Sequence, residues 1–293
     1  MWLVMRFELA EALRSRLVAF VLLLYGAGAA VGTFAFTQAW LAAERFAAAA
    51  LAESLGIPES EVPQDLVRRR ALPELISGFV DDPALRDSLL AMDPLAIFYG
   101  FVALNVVAGL VLVTSSTAHA QDLATGAARF VLTRCDRWSW ALGKTLGHAA
   151  LLAAGLLGGA LVAFCVASLI RGAASGATLL DLARTSLWAW LYGAAYLGIF
   201  SGISLLARKP GSARGIGLLT LFALWLGHTW CEARAGGDGG AIFAALAWLF
   251  PAQYAPLLWS PGASGFALAA LVLLAQGALA LLLAHAVFAR RDA

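Results

Sequence analysis

The ionisable residues with the most suggestive spacing lie in one segment, residues 119–147, HAQDLATGAARFVLTRCDRWSWALGKTLG. An acidic residue stands four positions before a glycine, arginines follow, and a Gly-Lys pair closes the segment: Asp122, Gly126, Arg129, Arg134, Arg137 and Gly143-Lys144. Guanidinium and ammonium groups pair with carboxylates and phosphates. The segment therefore indicates contact with an acidic protein surface or with anionic lipid headgroups.

The end of this segment also has the form of the end of a P-loop, Gly143-Lys144-Thr145. The full pattern G-x-x-x-x-G-K-[ST] requires a glycine at position 138, which is Trp138, and a soluble strand before it. The sequence has neither. We expect that this chain binds no ATP itself.

The composition places these residues in a membrane protein. Hydrophobic residues make up 61% of the 293 residues, charged residues 13%, and the mean hydropathy is +0.82. A soluble domain of this size has too little interior for so much apolar surface. The sequence predicts a single all-α transmembrane domain over 1–293, with six spans at about 17–38, 94–118, 142–170, 185–207, 214–232 and 264–288. Since Glu8 and Glu11 precede a first apolar run of about 20 residues, we expect a retained span and not a cleaved signal peptide.

The distribution of Lys and Arg predicts the orientation. With the N-terminus inside, the short inner segments hold twelve Lys or Arg and the short outer loops hold three, Arg171, Arg184 and Arg234. Cytoplasmic loops are enriched in these residues, and long translocated segments count little. We expect a plasma-membrane protein with both termini in the cytoplasm.

Three segments outside the spans carry further predictions. Residues 1–16 predict an amphipathic helix along the inner membrane surface, with Trp2, Met5, Leu9 and Leu13 on one face and Glu8, Glu11 and Arg14 opposite. Residues 39–93 form an acidic outer segment, in which the first span continues as a helix up to Gly56, Pro58 and Pro63, and one or two short helices follow. Residues 233–263 contain a break, GGDGG, and an apolar stretch too short to span. They predict a re-entrant segment with Trp248, Tyr254 and Trp259 at headgroup depth.

In its order and spacing, the 119–147 segment resembles the loop between the second and third spans of ABC-2 type ATP-binding-cassette transporter permeases. That family often has Glu at the acidic position and Pro among the basic residues, where this chain has Asp122 and Cys135-Asp136-Arg137. The form Asp-Leu-Ala-Thr-Gly-x-x-Arg-Phe is most similar to the branch with nitrous-oxide-reductase maturation and gliding-motility permeases. The ending Phe288-Ala289-Arg290-Arg291-Asp292 is similar to the family's usual ending.

The resemblance implies a function. The chain would be the permease subunit of an ATP-driven exporter in the plasma membrane of a bacterium, paired with a second permease chain and with two copies of a cytoplasmic ATPase. ATP and Mg would lie on that ATPase; no cofactor, metal or nucleic acid is expected on this chain. Residues 119–141 would couple the ATPase to the spans, through Asp122, Gly126, Arg129, Phe130, Arg134, Arg137 and the adjoining Lys144. Val131 and Leu132 would add apolar contacts to those of Phe130.

Alternatives remain open at this point. The 119–141 segment is also typical of an ordinary basic loop that contacts anionic headgroups. The whole chain is also compatible with a membrane subunit that only anchors or regulates an ATPase and transports nothing. An intramembrane enzyme would need convergent reactive side chains at membrane depth. The clearest polar residues there are Asn105 and Gln276, which we expect to hydrogen-bond between helices and not to bind cargo. His228 and Glu232 have the spacing of a two-ligand metal site, but a polar pair at the water interface is the simpler interpretation.

Overall fold

The computed structural model describes residues 1–58, 62, 83–172, 175–237, 240–260 and 262–290, and this part of the chain is helical and contains no strand. In chain order the helices are α1 Trp2–Arg14, α2 Arg16–Leu55, α3 Pro83–Leu90, α4 Pro94–Ser115, α5 Ala118–Thr125, α6 Ala127–Leu132, α7 Arg137–Arg171, α8 Gly176–Leu206, α9 Pro210–Ala235, α10 Gly240–Ala247, α11 Ala255–Leu258 and α12 Ala263–Ala289. A 3₁₀ turn, Pro251–Tyr254, precedes α11. The predicted all-α fold class is confirmed.

Within the described residues, six helical stretches are long and apolar enough to cross a membrane: α2, the stretch Pro94–Thr125 that contains α4 and α5, α7, α8, α9 and α12. At a rise of 1.5 Å per residue, the 22 residues of α4 alone extend about 33 Å, the thickness of a hydrocarbon core. Each predicted span coincides with one of these stretches. The chain is a multi-pass membrane protein.

Helix α8 lies at the centre of the bundle. In its most apolar window 72% of the residues are buried, against 11% for α2 and 17% for α9. Glycines let α12 approach it closely. A Cβ added to Gly198 would clash with the backbone of Gly277, and a Cβ added to Gly277 would lie 2.6 Å from the Ala194 carbonyl oxygen. In lipid the hydrophobic effect does not drive helices together. Small residues are therefore common where membrane helices meet, because they allow close van der Waals contact between the backbones.

Helix α2 is much longer than a span. Its 40 residues extend about 60 Å, roughly twice the hydrocarbon thickness. It ends at Gly56, whose φ of 66° is the left-handed conformation that favours glycine, and this confirms the predicted stop. Helix α3 confirms one short helix in the 39–93 segment. Residues 59–61 and 63–82, including Pro63, lie outside the described residues.

The segment before α12 is bent, as predicted for a re-entrant element. Helix α10 and the stretch Pro251–Leu258 meet at 85°. Trp248 is 43% exposed, but Tyr254 is buried and its hydroxyl donates to the Trp248 carbonyl over 2.7 Å. Trp259 is half-buried and packs edge-on against Trp188 at 4.9 Å between ring centroids. Tyr254 and Trp259 therefore pack into the bundle, and the expectation that the three aromatic residues lie at headgroup depth stays a prediction.

Both described ends of the chain lie on the same side of the bundle, which we call the terminal side. Met1 lies against the start of α7, where its carbonyl oxygen would be 3.0 Å from a Cβ on Gly143. At the other end, Arg137 Nη1 donates to the carbonyls of Phe288 (3.3 Å) and Ala289 (3.0 Å). The opposite side is called the far side. Asp238 and Gly239 of the predicted break, and Arg291 and Asp292, lie outside the described residues.

The two polar residues at membrane depth differ in their surroundings. Gln276 donates from Nε2 to the Leu249 carbonyl over 3.3 Å, so it does bond to another element. Asn105 donates to the Phe101 carbonyl of its own helix over 2.8 Å, on an exposed face of α4. The expected bond between helices is therefore wrong for Asn105 within this chain.

Candidate functional site

The predicted coupling segment folds into two short helices on the terminal side. Helix α5 ends at Gly126, whose φ of 77° and open surroundings show that glycine is needed there for backbone conformation and not for close packing. Helix α6 follows directly. Asp136 then caps α7 by accepting from the Ser139 N–H over 2.8 Å.

A buried ion cluster joins this segment to the rest of the bundle. The Lys144 side chain is only 4% exposed, and its Nζ lies 2.8 Å from Asp122 Oδ2 and 3.0 Å from Glu8 Oε2. His148, one turn along α7, places Nε2 3.6 Å from the other Glu8 oxygen. The cluster thus connects three elements: α1 through Glu8, α5 through Asp122 and α7 through Lys144.

Burial and pairing both act on the pKa of Glu8, which lies outside the spans. Burial alone would raise its pKa, but the His148 imidazole and the Lys144 ammonium favour the charged carboxylate more strongly. The pKa of Glu8 is consequently held below its ordinary value of 4.5. A carboxylate that is buried and charged in this way fixes the position of α1 against α7.

Two glycines of α7 allow that approach. A Cβ on Gly143 would lie 2.8 Å from Val4 Cβ, and one on Gly147 would lie 3.0 Å from Glu8 Cβ. Both glycines therefore face α1 at backbone distance. The sequence placed Glu8 on the face of α1 opposite Trp2 and Leu13, and the structure turns Glu8 towards α7. Glu8 faces the protein because Lys144 supplies a counter-charge there, while Trp2 and Leu13 of the predicted apolar face are exposed.

The start of α5 is held by the middle of the bundle. Ser204 of α8 accepts from the first backbone N–H groups of α5, those of His119 (3.0 Å) and Ala120 (3.1 Å). These N–H groups have no partner within their own helix, so a hydroxyl from another helix satisfies them. His119 is fully buried, and its Nε2 lies 3.2 Å from the Ala141 carbonyl oxygen.

One side of α6 packs on an apolar cluster. Ala128 of α6 is buried with a group of residues from α7, α8 and α12: Trp140, Ala141, Leu205, Ala284 and Phe288. Val131 and Leu132 pack against the same cluster. Both were expected to supply contacts to an ATPase, but they face this protein's own core. Phe130 points the other way and is 79% exposed.

The structure thus separates the predicted site residues into two groups. Asp122 and Lys144 come together inside, and Arg137 binds the end of α12 by its two hydrogen bonds and lies over the Phe288 ring at 5.5 Å. Arg129, Phe130 and Arg134 are exposed on the surface of the α6 region. The sequence missed three partners of the internal group, Glu8, His119 and Ser204. The one available signal was the Gly143-x-x-x-Gly147 spacing, which indicates a helix packed closely against the start of α7.

Polar residues on the far side are explained by local packing. Asp93 caps α4, accepts from Thr178 over 2.8 Å and lies 3.6 Å from Arg171, so it ties α4 to α7 and α8. His228 lies 3.5 Å from Glu232 and 3.3 Å from Gln253. Among the described residues, no group of three or more His, Cys, Asp or Glu side chains is placed to hold a metal ion. The polar-pair interpretation of His228 and Glu232 fits this arrangement.

Comparison with known proteins adds no relative: no family model and no curated protein matches this chain. The function has to be argued from the site itself. The site has an exposed basic and aromatic surface, and the residues behind it pack against α1, α7, α8 and α12.

Proposed function

We propose that this chain is the membrane subunit of an ATP-driven transporter, and that the surface formed by Arg129, Phe130 and Arg134 receives a separate ATPase. The observation that carries the proposal is the two-sided character of α6. One side exposes Arg129 and the Phe130 ring, with Arg134 exposed in the turn that follows α6, and the other side packs on the core cluster around Trp140 and Phe288.

The path from this surface to the spans is short. A push on α6 acts on α7, α8 and α12 through the shared apolar cluster. It acts on α5 across Gly126, and from α5 on α7 through the 2.8 Å contact between Asp122 and Lys144. Since packed interiors resist compression, such contacts move as a unit and do not absorb the displacement. In this mechanism ATP binding closes two ATPase copies, and the spans of two permease chains shift about their interface.

The exposed residues suit a protein partner with an acidic surface. An arginine fork bonds a carboxylate through two parallel N–H donors, and an exposed phenylalanine fills an apolar pocket at the centre of such a contact. The terminal side would then be cytoplasmic, which agrees with the twelve Lys or Arg of the segments assigned to that side. The chain would be an exporter subunit in the plasma membrane of a bacterium.

The experiment is purification of the tagged chain from its native membranes, followed by identification of co-purifying proteins and by ATPase assay. We expect a soluble partner with a genuine P-loop. Arg129→Glu and Arg134→Glu should reduce its recovery at least tenfold, because truncating or reversing one member of a desolvated charge pair costs several kcal/mol.

Two exposed arginines provide matched controls. Arg14→Glu tests charge reversal elsewhere on the terminal side, and Arg45→Glu tests it on the outward extension of α2. Both should leave partner recovery unchanged. Equal loss in all four variants would mean that the loop is only a basic membrane anchor. Nucleotide binding by the purified chain alone, or labelling of a cysteine at position 134 from outside the cell, would also contradict the proposal.

A further inference from the structure

Asn105 occupies a position that the rest of this chain does not explain. It lies 11 residues after Pro94 and 10 before Ser115, so it is about 16 Å from either end of α4 and near the middle of a 30 Å hydrocarbon core. It is nevertheless exposed. Within the part of the chain that the structure describes, its side chain makes one hydrogen bond, from Nδ2 to the Phe101 carbonyl.

A primary amide has two donors and an acceptor oxygen, so most of the bonding capacity of Asn105 is unused. Lipid tails offer no partner, and polar groups at this depth are expensive unless protein or water meets them. The exposed face of Asn105 therefore calls for a polar partner at mid-membrane.

The surroundings of Asn105 on α4 are suited to another helix. At 100° per residue, Val102, Val106, Gly109 and Val113 share its side of α4. The three valines are exposed, and no atom lies within 4 Å of a Cβ built on Gly109. A glycine one turn from an asparagine lets a partner backbone approach closely, and β-branched side chains lose little rotamer freedom when covered. We call this face the Asn105 strip.

Neighbouring helices leave the strip open between Val102 and Val113. Helix α2 contacts α4 at Tyr99, whose hydroxyl lies 2.9 Å from that of Tyr25. It also contacts Phe98, which stacks on Phe36 at 4.5 Å between ring centroids and lies on the side of the strip, one turn before Val102. Helix α9 contacts α4 where Gly217 meets Leu112. On a helical projection Tyr99 and Leu112 lie at the two flanks of the strip. Any element that covers the strip comes from outside the described chain.

We propose that the Asn105 strip packs against the same strip of a second copy of this chain, with the two Asn105 amides hydrogen-bonded to each other across a two-fold axis. The amide is complementary to itself, since the N–H of one copy faces the oxygen of the other and the reverse. A two-fold interface repeats each contact, so one asparagine per chain supplies both bonds. The inference deepens the proposed function, which requires a second permease chain, but it does not depend on an ATPase.

The test is oxidative cross-linking in native membranes, with Cys135, Cys165 and Cys231 replaced by serine. Single cysteines at Val102 and Val106 should form a covalent dimer, because only residues near the axis bring Cα atoms within the 4.4–6.8 Å that a disulfide needs. The matched controls are Leu161→Cys on α7 and Leu279→Cys on α12, which are 55% and 58% exposed on other faces of the bundle. They should stay monomeric.

A second measurement protects against variants that merely misfold. Asn105→Leu should lower the cross-linking yield from Val106→Cys or the dimer affinity in detergent by about tenfold, as expected for an interhelical amide contact. Asn105→Gln, which keeps the amide, should retain more dimer than Asn105→Leu.

Two results would overturn the proposal. One is equal cross-linking at Val106 and Leu279, which would indicate random collision. The other is rapid labelling of a cysteine at position 105 by a water-soluble maleimide without any covalent dimer, which would show an aqueous path along the strip. Loss of ATPase co-purification with cross-linking intact would instead contradict the proposed function and leave this inference standing.

Discussion

Replacing Lys144 by methionine should release the N-terminal helix from the bundle. The Lys144 ammonium is the cation that lies within 3.0 Å of both the Glu8 and the Asp122 carboxylates, and its side chain is 4% exposed. Methionine fills a similar volume but leaves both carboxylates without this partner. Asp122, at 21% exposure, turns towards water at little cost, whereas Glu8, at 11%, stays buried beside His148.

The free-energy cost of Lys144→Met follows from this difference in exposure between the two carboxylates. Removal of one partner from a buried ion pair costs about 3–5 kcal/mol. Since one of the two carboxylates reaches water, the lower end applies, about 3 kcal/mol. At 1.4 kcal/mol per factor of ten, the detached population of α1 should rise roughly a hundredfold.

A single cysteine at Ala12 reports on that population. Ala12 is buried against Leu151 and Val18, so its labelling by a water-soluble maleimide requires α1 to leave α7. We expect Lys144→Met to accelerate labelling by about two orders of magnitude. Exchange of the exposed Lys209 for methionine is the control and should have no effect.

Adding Glu8→Gln to Lys144→Met should recover most of the protection, because the buried uncompensated charge is then removed. A double-mutant cycle between Glu8 and Lys144 measures their coupling directly. If Lys144→Met leaves the labelling rate at Ala12 unchanged, the ion cluster does not hold α1 and the reasoning fails.

The same labelling assay checks two further predictions. Gly143→Ala should accelerate it about tenfold, since the new Cβ would lie 2.8 Å from Val4 and overpacking costs about 1–3 kcal/mol; Gly158→Ala, on the same helix with no atom within 4 Å, should not. Acid should also release α1: a carboxylate whose folded pKa is below its ordinary value contributes stability above about pH 4.5, and this stability is lost as the pH falls through the folded pKa. Glu8→Gln should remove that pH dependence, and a profile that stays the same in this variant would assign it to another group.

The spans could be predicted from the sequence because the bilayer imposes a length. A run of about 20 apolar residues has one stable conformation in lipid, whatever surrounds it. The end of α2 followed an equally local rule, since Gly56 adopts a left-handed conformation. These features depend on a few neighbouring residues, and the sequence displays them directly.

The pairing of Glu8 with Lys144 was not predictable in this way. Periodicity along α1 ranks residues by polarity, and by that measure a glutamate belongs on the face towards water. Its actual direction depends on a lysine 136 positions away in the chain and on two glycines that bring the helices together. Val131 and Leu132 were assigned to contacts with a partner because an apolar stretch in a loop predicts burial. It does not predict whether those residues are buried in this protein or in the interface with another.

The charged residues of the segment 119–147 are divided between contacts inside this protein and the exposed surface. They do not act as one surface. Asp122, Arg137 and Lys144 are used internally, to hold α5 against α7 and α7 against α12. What remains outside is small: Arg129 and Phe130 on a helix of six residues, and Arg134 in the turn that follows it. In the proposed function, so small a contact transmits force only if its base is stiff, and the internal ion pair and hydrogen bonds would supply that stiffness. Loss of the internal group should therefore preserve partner binding while uncoupling it from the spans, and loss of the external group should abolish binding itself.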